Sequence, residues 1–102
     1  MTRHDKLVRD LIPEIIRADG RVALIHTADD AEFAVRLREK LSEEVQEYLA
    51  AESLEEMADL FEVIEAILEL NGWSFEAVAA EQQRKREARG GFRRRIVLEE
   101  TS

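Results

Sequence analysis

The sequence predicts an all-α fold: an antiparallel helical bundle of about four helices with a small β element near the termini, in one domain spanning 1–102. Three observations carry that expectation. Only one Pro and four Gly interrupt the chain, and each stands at an end of an apolar-periodic stretch. Within those stretches apolar residues return every three or four positions, the spacing of one helix face. Ser, Thr and Asp occupy the expected helix starts, and Asp-Gly, Asn-Gly and Gly-Gly the expected stops.

The elements follow in order. Asp10 is placed to cap a first helix with Pro13 in its opening turn, where a missing N–H is tolerated. That helix carries Ile15 and Ile16 and stops at Asp19-Gly20. Val22-Ala23-Leu24-Ile25 reads as a short extended piece. A cap within Thr27–Asp30 opens a second helix that runs to about Ala51, with Phe33, Leu37, Leu41, Val45 and Tyr48 as its apolar stripe. Ser53-Leu54-Glu55-Glu56 has the form of a capping box and starts a third helix ending near Asn71-Gly72. The short connection between the second and third helices predicts an antiparallel hairpin. Ser74 caps a fourth helix from Phe75 to about Arg89, ended by Gly90-Gly91. Ile96-Val97-Leu98 reads as a brief extended run that can pair with residues 22–25.

Composition narrows the function. The length is that of one domain, expected to bury roughly 60–70% of its unfolded surface around a single core. There is no Cys, so disulfide and thiolate chemistry are excluded, and a reducing cytoplasm suits the chain. The polar N-terminus does not resemble a signal peptide, and no run reaches the ~18 apolar residues of a membrane span. A net charge of −8 argues against a nucleic-acid polymer as partner. The charge is uneven. Residues 29–69 hold fourteen acids and three bases, whereas residues 84–95 hold seven bases and one acid.

The most informative pattern is a matched pair of acidic steps, Glu43-Glu44-Val45-Gln46-Glu47 and Glu56-Met57-Ala58-Asp59. In each, two carboxylates three residues apart share a helix face. At ~100° per residue, Glu44 falls between Phe33 and Leu37, and Glu56 between Val63 and Ile67, inside the apolar arcs. Glu47 and Asp59 lie at the edges of those arcs. The hairpin tip then gathers four carboxylates that repel one another and lose water. With no base read onto those faces, a divalent cation is the expected counter-charge. Oxygen-only ligands select Mg²⁺, with Mn²⁺ as an alternative.

Plainer readings stand beside this one. Glu56 is equally suited to the reciprocal arm of the Ser53 capping box. Glu43, Glu55, Glu62 and Glu69 read as solvated-face residues. His4 and His26 lie outside the acidic helices and are poor ligands, and no glycine-rich phosphate loop is present. Lys6, Arg9, Lys85, Arg89 and Arg95 are candidates for an anion, and Trp73 and Phe75 for core or for stacking on a base.

With these motifs in hand, the chain resembles the MazG-like all-α nucleoside triphosphate pyrophosphohydrolases, whose signature is Glu-Glu-x-x-Glu followed by Glu-x-x-Asp. Here it reads Glu43-Glu44-x-x-Glu47 and Glu56-x-x-Asp59. The opening Lys6-Leu7-Val8-Arg9-Asp10-Leu11-Ile12-Pro13-Glu14-Ile15-Ile16 and the closing Arg89-Gly90-Gly91-Phe92, continuing to Arg95-Ile96-Val97-Leu98, look like a phosphoribosyl-ATP pyrophosphohydrolase-like house-cleaning subgroup. Leu11 stands where a basic residue is expected, and the gap between acidic motifs is short for the wider family.

The resemblance implies Mg²⁺ held by Glu44, Glu47, Glu56 and Asp59. It implies Glu43 as a further ligand or as the residue that orients the attacking water, and Lys6, Arg9, Lys85, Arg89 and Arg95 on the triphosphate. It implies a nucleotide substrate, hydrolysed to a monophosphate and pyrophosphate, and a homodimer or larger homo-oligomer. Two other functions fit the same residues: a phosphoribosyl-ATP pyrophosphohydrolase of histidine biosynthesis, and a non-catalytic helical interaction module.

Overall fold

The computed structural model describes residues 2–102. Four helices follow in order: α1 Ile12–Ala18, α2 Asp30–Ala51, α3 Leu54–Asn71 and α4 Phe75–Arg89. The helix ends obey local chemistry. Asp29 caps α2 by accepting from the Glu32 N–H at 2.8 Å. Ser53 caps α3 through Glu56 N–H at 3.2 Å, and Ser74 caps α4 through Ala77 N–H at 3.0 Å. After α1, Gly20 takes φ 74°, and Gly20 and Arg21 N–H groups return to Arg17 and Ile16 carbonyls. Gly72, at φ 70°, closes α3 the same way with Trp73. Both positions use the left-handed backbone that glycine enters without strain.

Two expected details differ. The residue before α1 is Leu11, and no side chain caps that helix, so Asp10 does not serve there. No strand forms among the described residues: 22–25 and 96–98 are irregular. Val22, Leu24, Ile25, Ile96, Val97 and Leu98 are all at least 60% exposed. An isolated strand pair is marginal without a face to pack on, and neither segment is covered here.

Packing concentrates in one place. Glu52 and Ser53 alone separate α2 from α3, and the two helices lie against each other as a hairpin. Leu37 and Val63, one from each helix, are the buried apolar residues. Neither α1 nor α4 buries any residue. The single large core expected from chain length therefore does not form within one chain, because two helices share only one face. Trp73 and Phe75 stay more than half exposed rather than joining a core. The radius of gyration is 18.3 Å, against about 13 Å for a packed domain of this length. No helix is long and apolar enough to cross a membrane.

Candidate metal centre

The acidic steps meet across the hairpin. Glu44 reaches the seam from α2 and is buried, at 8% exposure. Glu56 and Asp59 reach it from the first two turns of α3 and are half-buried. One oxygen from each of the three lies within 4.8 Å of the others. That span is comparable to the ~4–5 Å between opposite oxygens around a hard divalent cation. The cluster could therefore hold a metal ion, and its donor set is oxygen alone.

Glu47 is exposed and stands outside that trio, though its charge reaches Glu56. The Glu56 carboxyl is pushed above its ordinary value by burial, then by Glu47, Asp59, Glu44 and Glu55. Only its backbone N–H serves the Ser53 cap.

Bases are present on these faces, contrary to the sequence reading. Lys40 Nζ lies 3.3 Å from both Glu43 and Glu44. It sits three and four residues before them, so its stem runs along the helix face to reach both. Lys6 Nζ reaches Glu43 Oε1 at 3.1 Å, and Arg9 Nη2 reaches Asp59 Oδ1 at 2.7 Å. Burial pushes the Glu43 carboxyl up, but Lys6 and Lys40 outweigh it and hold it below its ordinary value. Five carboxylates (Glu43, Glu44, Glu47, Glu56, Asp59) thus meet three bases, and among the described residues neither Glu47 nor Glu56 has an ion-pair partner.

The predicted anion contacts divide in two. Lys6 and Arg9 reach the acidic hairpin. Lys85, Arg89 and Arg95 do not: among the described residues none of them forms an ion pair with α2 or α3. They are exposed on α4 and the following turn, where Arg95 N–H donates to the Phe92 carbonyl. His26 is away from the trio, with Nε2 2.8 Å from Glu32 Oε2. Sequence reasoning missed Lys40 and Arg36. Both follow the i,i+3 and i,i+4 rule from neighbouring acids.

No family model matches the chain, and no solved structure matches it. A protein of Mycolicibacterium smegmatis (strain ATCC 700084 / mc(2)155), described as uncharacterized, is 52% identical over 48 residues. The match covers 47% of this chain and 49% of that relative, so the chain spans about half the relative's length.

Proposed function

We propose that this chain is a Mg²⁺-dependent, MazG-like nucleotide pyrophosphohydrolase. The observation that carries the reading is the convergence of Glu44, Glu56 and Asp59 oxygens within 4.8 Å, from two helices. It is supported by the spacing of Glu43-Glu44-x-x-Glu47 and Glu56-x-x-Asp59, and by the uncompensated charge at Glu56. When bound, Mg²⁺ (or Mn²⁺) supplies phosphate charge neutralisation and an acidified water.

The protein's residues do the rest. Glu44, Glu56 and Asp59 hold the cation, with Glu47 as the remaining ligand. Glu43 stays ionised at neutral pH, so it accepts a hydrogen bond from the attacking water and orients it. Lys6 and Arg9, adjacent to these acids, meet the triphosphate. Water attacks the α-phosphorus, the bond to the bridging oxygen breaks, and pyrophosphate leaves. Lys85, Arg89 and Arg95 reach a substrate from a second copy of the chain. The thin core supports such an assembly: among the described residues only Leu37 and Val63 are buried apolar residues, while nineteen large apolar side chains are exposed.

A second reading has an observation of its own. Lys40–Glu44 and Arg9–Asp59 pairing suits a cation-free cluster in a helical interaction module. Pyrophosphate release from a nucleotide panel with Mg²⁺ separates the two. The enzyme reading expects release from at least one nucleoside triphosphate, abolished by Glu44→Gln or Asp59→Asn and retained by Glu62→Gln on the exposed face. No release from any nucleotide favours the module.

A further inference from the structure

We propose that residues 5–9 form a resident counter-ion arm that a divalent cation must displace, with Arg36 as the positioning residue that holds the arm in place. This deepens the metal-centre reading above and rests on it. The arm carries two bases and sends them to different helices. Lys6 pairs with Glu43 on α2, 37 positions away, and Arg9 with Asp59 on α3, 50 positions away. The arm therefore bridges the hairpin beside the carboxylate trio.

Arg36 sets that placement. Its Nη1 donates to the Asp5 carbonyl at 2.8 Å and its Nη2 to Asp5 Oδ1 at 3.0 Å. The guanidinium is itself braced by Glu32 at 3.2 Å and Glu39 at 3.6 Å, and its side chain is only 20% exposed. Asp5 takes φ 47°, a left-handed backbone that an aspartate tolerates but does not favour. Two charge-assisted bonds from one planar group offset that strain. Asp5 thus becomes a fixed hinge from which Lys6 and Arg9 project onto the acidic helices.

Asp59 belongs both to the trio and to the Arg9 pair. A divalent cation and a guanidinium repel each other and compete for the same carboxylate. Cation entry therefore weakens the Arg9–Asp59 pair. The released Arg9 stays tethered through Asp5 and Arg36, next to the site, with its charge available to an anion. Cation loading and anion capture become ordered events, cation first.

The test is a calorimetric Mn²⁺ titration of the full chain in phosphate-free buffer. Arg9→Gln and Arg36→Gln should each bind Mn²⁺ about two- to fivefold more tightly than wild type, the worth of a half-exposed ion pair. The double variant should bind no more tightly than either single one, since Arg36 acts through Arg9. Arg9→Lys keeps the charge and should bind as wild type does. A purely structural role for Arg36 would leave Mn²⁺ affinity unchanged or weakened. Equal or weaker binding by Arg9→Gln overturns the counter-ion arm while wild-type binding keeps the metal centre. If wild type binds no Mn²⁺ at all, the arm proposal and the metal centre fall together.

Discussion

The α2–α3 hairpin and the α4–tail segment are both helical and both apolar in part, yet they form on different terms. The hairpin contains every buried residue described: Leu37, Glu44 and Val63. The α4–tail segment contains none, and Phe92 and Val97 stand 97% and 81% exposed. α4 holds its shape through local means. Ser74 caps it, Arg84 pairs with Glu81, and Gln83 bonds Glu87 at 3.1 Å. Caps and short-range pairs are enough to define a helix, but only burial fixes where that helix sits. The hairpin has that burial from its own partner helix, and the α4–tail segment has none among the described residues.

The largest effect expected from this contrast is on stability. Leu37→Ala should cost about 2–5 kcal/mol, because it opens the one apolar seam. At ~4–8 °C per kcal/mol for a chain of this size, the thermal midpoint should fall by ~10 °C or more. Phe92→Ala should leave the midpoint of dilute chain nearly unchanged, and, if the proposed assembly buries this segment, should weaken self-association in sedimentation. A large loss of midpoint in both variants would erase the contrast.

Next in size are the bases beyond the hairpin. If a second copy brings them to substrate, Arg89→Ala and Arg95→Ala should each lower kcat/KM roughly ten- to a hundredfold, the worth of a charged hydrogen bond at ~1.5–3 kcal/mol. Mg²⁺ binding should be nearly intact, and Arg93→Ala serves as the control. Wild-type kinetics in both variants would reduce the basic tail to a solvated flank.

The caps sharpen the comparison at about 1 kcal/mol. Ser53→Ala should lower the cooperative melting transition, since α3 belongs to the hairpin. Ser74→Ala should reduce helicity by circular dichroism with little change in that transition. Equal shifts in the midpoint would mean that α4 melts with the hairpin.

The smallest effect is on pH dependence, and its sign is set by two carboxylates. Glu56 titrates above its ordinary value when folded. The folded state then binds more protons, so stability falls as pH rises through the interval between the ordinary value and the raised one. Glu43 works in the opposite direction: its contribution is present above the ordinary value and lost as pH falls through the depressed one. Metal-free Glu56→Gln should therefore melt slightly higher than wild type at neutral pH and lack the loss on the alkaline side of that interval. An unchanged pH profile would place the charge excess somewhere other than Glu56.

Much of the local structure was legible in the chain. Ser53 and Ser74 stand as caps, α2 ends at Ala51, α3 at Asn71 and α4 at Arg89, all where polar and glycine signals predict. These signals act within one helical turn, so neighbours in sequence suffice to decide them. The convergence of Glu44, Glu56 and Asp59 was also legible, because a two-residue connection and a fixed angular period leave two helices few ways to meet. Glu47 and Asp59 both lie at the edges of their arcs, where a small helix rotation turns a side chain in or out, and only Asp59 joins the trio.

What only the tertiary structure decided was who neutralises whom. Arg9 finds Asp59 across 50 positions and Arg36 finds Asp5 across 31, and no local rule predicts either partner. The pairing of residues 22–25 with 96–98 failed for the same reason in reverse. Apolar composition says that a segment is suited to being covered, but coverage depends on where the helices carry it. Sequence by itself determined the elements, their ends and the acidic faces, because those follow from short-range backbone and side-chain geometry. Their compensation and burial were set by long-range contacts, whose energies depend on positions that exist only once the chain has folded.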